Sequence, residues 1–155
     1  MKKSIFAFLF LLLIFIPSCF AKDGLYVGGS LDIDVSSSET MITSGSINIE
    51  YKPVSIFSLG LKASGKTDFA ENLIVSPSAF LRFYPVSNTF LEGSLGGSTL
   101  WSGEDKETKM VAGASLGWRV ESGKTYIEPK VNIDYVFDAE EPFSWSAGIG
   151  AGYTF

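Results

Sequence analysis

The sequence contains no histidine. No imidazole is available for acid–base chemistry near neutral pH or for holding a transition metal. Cysteine occurs once, as Cys19, inside an apolar N-terminal stretch. The chain beyond it has no disulfide and no thiol nucleophile. Positive charge is scarce: 12 Lys and Arg stand against 17 Asp and Glu, and two of the basic residues, Lys2 and Lys3, sit at the N-terminus. That balance excludes the basic footprint of a nucleic-acid binder. Beyond residue 21 no apolar run is long enough to cross a bilayer as a helix.

The N-terminus reads as an export signal. Lys2 and Lys3 precede the apolar run Ile5–Ile16, followed by Pro17, Ser18, Cys19, Phe20 and Ala21. This is a charged region, an apolar region and a small residue at a cleavage point. As a helix the run reaches roughly 18 Å, short of a hydrocarbon core of roughly 30 Å. Cleavage is expected after Ala21, which makes residues 1–21 a signal peptide and residues 22–155 one domain. Ile16-Pro17-Ser18-Cys19 also resembles a lipobox, with Cys19 as the lipidated residue of a rival processing route.

What is abundant is alternation. From Phe143 to Phe155 every odd position is apolar or aromatic, and every even one is Ser, Gly or Thr. Period two over that length predicts a strand with one apolar and one small, polar face. The same pattern recurs near 25–35, 43–52, 57–64, 75–83, 91–98, 110–120 and 127–137, giving eight strands. Eight antiparallel strands in an up-and-down transmembrane barrel is the expected fold. Strands of about ten residues, tilted, cover its apolar band of roughly 25 Å. A closed barrel is also the only strand architecture that leaves no sheet edge in lipid. Tight turns near 52–55, 85–88 and 121–124 are placed on the periplasmic side. Longer connectors near 36–41, 65–72, 102–108 and 138–142 are placed outside. Pro77 and Pro129 fall mid-strand, where each removes a ladder donor, and bulges are expected at both.

The direction of the faces follows from their residue types. The polar face is mostly Gly and Ser, which suits a crowded lumen. Its large polar residues carry both signs: Asp32, Asp34, Glu50, Glu92, Glu128 and Asp134 with Lys62, Arg82, Arg119 and Lys130. These ten are expected to form a lumen polar network. Aromatics gather near strand ends, among them Phe57, Phe83, Trp101, Trp118, Phe137, Phe143, Tyr153 and Phe155, as interface girdles do.

Several segments together resemble the small bacterial outer-membrane β-barrels of the OmpX-like, opacity-type and OmpA N-terminal group. They are Gly24-Leu-Tyr-Val-Gly-Gly29, Pro77-Ser-Ala-Phe-Leu-Arg-Phe-Tyr84, Leu91-Glu-Gly-Ser-Leu-Gly-Gly97, Ala112-Gly-Ala-Ser-Leu-Gly-Trp118 and Ala147 to Phe155. The resemblance implies an outer-membrane location. It also implies insertion by the barrel-assembly machinery with periplasmic chaperones, and an assembly signal that includes Tyr153 and Phe155. It implies no shared activity. Outer-membrane acyltransferases, deacylases, phospholipases and omptin-like proteases resemble one another in using histidine, which this chain lacks. A non-enzymatic structural or surface-interaction role is therefore expected, without cofactor or metal and with an unidentified surface ligand. A narrow or gated channel is the second reading. A soluble or lipidated calycin-like binder, with the apolar face inward, is the third.

Two motifs lose to their context. Gly60-Leu-Lys-Ala-Ser-Gly-Lys-Thr67 fits the P-loop spacing, but alternating residues run into it and out of it. Asp32/Asp34 and Glu140/Glu141 lack a full oxygen cage for a divalent cation. The connectors carry Glu39, Asp68, Glu71, Glu104, Asp105, Glu107, Asp138, Glu140 and Glu141 against Lys66 and Lys106, an expected acidic outer rim.

Overall fold

A computed structural model describes residues 24–34, 43–67, 72–86, 88–102 and 105–155. The segment 1–21, with Cys19, lies outside them, as do Val35, Glu39, Asp68, Glu71 and Glu104. The elements are β1 (Leu25–Asp34), β2 (Thr43–Val54), β3 (Phe57–Thr67), β4 (Asn72–Val86), β5 (Thr89–Ser102), β6 (Asp105–Trp118), β7 (Val120–Ser122), β8 (Thr125–Val136) and β9 (Phe143–Thr154). β6 and β7 are two parts of one stave, interrupted at Arg119. Neighbours in sequence pair antiparallel, β6 and β7 both pair with β8, and β9 closes on β1. The result is a closed eight-stave barrel with no free edge, as hydrocarbon requires.

The alternating residues now have directions. Ile47 is 70 % exposed, the highest among the large apolar side chains, and Leu31, Leu61, Leu81, Leu95, Trp118, Val131 and Ile149 are exposed with it. The apolar face points outward all round, which rules out an inward apolar pocket of the calycin kind. Aromatic rings meet near the ends of the wall: Phe57–Phe83 at 5.3 Å, Tyr153–Phe155 at 5.2 Å, and Tyr135 with Phe137 and Phe143 at 5.0 Å each.

The two ends differ. At one, the turn end, residues 55–56, 87–88 and 123–124 join neighbouring staves, and Gly123 takes φ +62°. At the other, the loop end, lie the connectors 35–42, 68–71, 103–104 and 137–142. The expected connector over 102–108 is mostly strand: Ser102 pairs with Asp105 and Thr99 with Thr108. Beyond the apolar band both faces of these strands are polar, so the period-two signal vanishes although pairing continues.

The prolines also behave differently from expectation. β4 pairs with β5 in one register on both sides of Pro77, from Val75↔Thr99 to Ser78↔Gly96. Around Pro129 the register is likewise constant, from Gly117↔Lys130 to Val120↔Ile127. Neither site is a bulge. Tyr84 donates its N–H to the Ile56 carbonyl on the β3 side, so by alternation Pro77 faces its missing donor toward β5. Phe137 donates to Met110 of β6, so Pro129 faces its missing donor toward Trp118. Each proline costs one ladder bond on one side and pairs normally on the other, Pro77 with Ala63 and Pro129 with Ile149. The register shifts occur instead between Tyr51 and Val54 and between Phe83 and Val86, beside Pro53 and Pro85 at the turn end.

Candidate functional site: the barrel lumen

The inward positions build two polar layers. The layer nearer the turn end centres on Arg82 of β4, 1 % exposed, and Arg119, 2 % exposed, with Glu50 of β2 fully buried between them. Arg82 donates from Nε to Glu92 Oε2 (2.6 Å) and from Nη1 to Glu50 Oε2 (2.8 Å) and Glu128 Oε1 (2.8 Å). Arg119 donates from Nε to Glu128 Oε1 (2.5 Å) and from Nη2 to Glu50 Oε2 (2.5 Å), and pairs its Nη2 with Glu128 as well. Lys62 donates to Glu92 at 3.1 Å and the Tyr84 hydroxyl to Glu50 at 2.7 Å. Three cations thus meet three carboxylates drawn from β2, β3, β4, β5, the Arg119 break and β8. Charges buried this deeply are tolerable only when each is both paired and hydrogen-bonded.

Aromatic rings frame this layer. Arg119 Cζ lies 4.4 Å from the Tyr26 ring centroid and 4.5 Å from that of Tyr126, and Arg82 Cζ lies 4.3 Å from that of Phe90. Such stacking lets a weakly hydrated guanidinium be buried where an ammonium would not be. Glycines on adjacent staves make room for the rings. A Cβ at Gly60 would stand 2.4 Å from Phe80, one at Gly117 2.3 Å from Phe90, and one at Gly152 2.4 Å from Tyr126.

The second layer lies toward the loop end. Asp32 accepts from Ser30 (2.7 Å) and Asn132 (2.9 Å), and the Lys130 ammonium is 3.6 Å from it. Asp34 pairs with Lys66 at 2.5 Å. Asp134 is half-buried and inward, and its Oδ1 and the Ser94 hydroxyl both lie over Gly113. It makes no hydrogen bond or ion pair to another described residue.

Of the ten lumen residues named from the sequence, Glu50, Lys62, Arg82, Glu92, Arg119 and Glu128 meet in the first layer. Asp32 and Lys130 meet in the second, Asp34 pairs with Lys66, and Asp134 stands apart. Sequence reasoning missed Lys66 and Asn132 as partners, and it missed the rings of Tyr84, Phe90 and Tyr126. Extending each strand's alternation by one or two residues toward the turn end finds those rings. The P-loop-like segment Gly60–Thr67 is the body of β3, paired on both sides to β2 and β4. Among the described residues no cluster of three metal-ligating side chains occurs.

The sequence matches no family profile and no curated protein. Solved structures do match. Neisserial surface protein A superposes with TM-score 0.64 at 15 % identity, over 85 % of this chain and 97 % of that one. Ail, the attachment invasion locus protein of Yersinia pestis, gives 0.55 at 15 %, over 86 % and 97 %. A de novo designed transmembrane β-barrel gives 0.51 at 12 %, over 86 % and 98 %. At these identities the likeness concerns architecture alone, and the designed chain among them separates this architecture from any one natural role. Closed wall, outward apolar belt and polar lumen agree with it: the chain has the fold of the small outer-membrane β-barrels.

Proposed function

We propose that this barrel is a closed, non-enzymatic outer-membrane protein that acts through its loop end as a surface-interaction element. The first lumen layer carries the reading. Its six charged groups draw on staves around the barrel and bond to one another across the interior. An eight-stave barrel has an interior about filled by side chains in any case. In a chain without histidine, the three carboxylates of this layer are all engaged by cations and none is free to serve as a general base. The route to the membrane belongs to the same proposal: removal of residues 1–21, passage with periplasmic chaperones, and insertion by the barrel-assembly machinery reading Tyr153 and Phe155. The turn end then faces the periplasm.

Ail has also been solved with the heparin analogue sucrose octasulfate. The loop segments of the present chain are acidic by sequence, so a polyanion of that kind is a poor partner for it. The test is conductance in a planar bilayer. Purified protein should give none above the bare membrane, while steady single-channel current would establish the channel reading instead.

A further inference from the structure

Above the charged layer, toward the loop end, the lumen holds a cavity of about 170 Å³. Eight serines line it. Some are engaged by the protein: Ser76 and Ser98 share a hydrogen bond at 3.0 Å, and Ser64 donates to the Ser76 carbonyl at 3.2 Å. Ser78, Ser94 and Ser144 make no hydrogen bond to another described residue. Asp134 faces the same space, also without such a bond. The cations at its edge are already engaged, Lys62 by Glu92 of the charged layer and Lys66 by Asp34, so Asp134 is the one charge of the lining without an ion pair among the described residues. Ile74, Val111 and Val136 supply apolar strips between the hydroxyls.

The chemistry of an occupant follows from this lining. Free hydroxyls both donate and accept, so they suit a partner that does the same. A free carboxylate accepts from two donors side by side. One unpaired carboxylate among hydroxyls disfavours an anion, and among the described residues no cluster of three carboxylate ligands stands beside it to hold a metal ion. The volume holds roughly five or six waters at about 30 Å³ each, and it is well below the roughly 300 Å³ at which drug-sized sites begin. We propose that this cavity is a binding site for one small neutral polyol, of the size of a single sugar unit or less. Vicinal hydroxyls bond to Asp134, and the remaining hydroxyls bond to Ser78, Ser94 and Ser144. The site goes beyond the surface role proposed above and gives the loop end a ligand class.

The test is NMR of labelled, full-length barrel in lipid nanodiscs, titrated separately with methyl α-glucoside, glycerol and inorganic phosphate. Saturable shifts of the Ser94, Gly96, Gly113 and Ser144 amides are expected with the two neutral probes, with midpoints that do not move between low and high salt. Asp134→Asn should weaken binding about tenfold, the effect of losing hydrogen bonds to a charged acceptor. Ser94→Val with Ser144→Val should abolish it, and heat-modifiable gel migration reports whether either variant remains folded. Absence of saturable shifts in the folded protein overturns the proposal and leaves a water-filled recess. Saturation by phosphate alone overturns it in favour of an anion site. Conductance of the same preparation is a separate readout, so an open pore would defeat the closed-barrel reading without touching this one.

Discussion

Replacing Arg82 by methionine removes one of three cations facing three carboxylates in a nearly dry part of the lumen. Met fills much of the arginine volume, so the change is chiefly electrostatic. Glu50, Glu92 and Glu128 each lose a hydrogen bond of 2.6–2.8 Å from Arg82. Arg119 and Lys62 remain, leaving one carboxylate in excess. Breaking a buried pair from one side costs about 3–5 kcal/mol, because the remaining charge is left uncompensated. With a urea slope of about 2 kcal/mol per molar, the unfolding midpoint should fall by roughly 2 M. The assay is urea unfolding of the barrel in lipid vesicles, followed by gel migration and tryptophan fluorescence. The informative comparison is Arg82→Met with Glu92→Gln, which restores the balance to two against two. It should recover more than half of the loss, a coupling of about 1–3 kcal/mol. A single variant within about 0.5 M of the parent would mean that water already screens the layer. A double variant no better than the single would mean that arginine acts by packing, and either result would refute the charge-balance account.

Further outcomes follow from the wall. Gly60→Ala should cost about 1–3 kcal/mol in the same assay, since its Cβ would stand 2.3 Å from the Ile49 carbonyl and 2.4 Å from Phe80. Gly65→Ala, with nothing within 4 Å of the added Cβ, should stay within about 0.5 kcal/mol. Pro77→Ala returns an N–H toward β5 and should stabilise by about 0.5–1.5 kcal/mol, offset in part by the freer unfolded chain; destabilisation would count against the orientation of that strand. Intact mass of protein recovered from the outer membrane should correspond to a chain starting at Lys22, and a lipid adduct on Cys19 would establish the other processing route. Phe155→Ser should slow the appearance of the heat-modifiable folded form in a pulse–chase, and an unchanged rate would remove Phe155 from the assembly signal.

The alternation of single residues was enough to orient nearly every side chain of the wall. It works because a one-residue slip would put Arg82 or Glu50 into lipid and Leu81 or Ile49 into the lumen. Which lumen charges meet was not legible. Arg82 and Glu128 are 46 positions apart and meet only because the wall closes, so their bond depends on stave number and stagger rather than on any local pattern. The aromatic frame was obscured for another reason. Tyr84 adjoins Pro85, which marks the turn, so turn chemistry drew attention away from a ring that reaches Glu50. Pro77 and Pro129 misled because a proline in a strand normally implies a bulge. In a closed barrel every strand has two neighbours, and the pairing on one side holds the register while the other loses a bond.

β4, β5 and β6 are 15, 14 and 14 residues long. β5 and β6 stay paired from Thr99↔Thr108 to Ser102↔Asp105, up to the link of residues 103–104. The four residues Thr99 to Ser102 run roughly 13 Å along the strand. Lys106 lies over the Trp101 ring at 5.7 Å and Thr99 bonds to Thr108 at 3.1 Å, so side chains link the two strands as well as the ladder. A peptide grafted at 103–104 would therefore enter and leave through paired strands, so its two ends would be set a fixed strand spacing apart by the natural ladder.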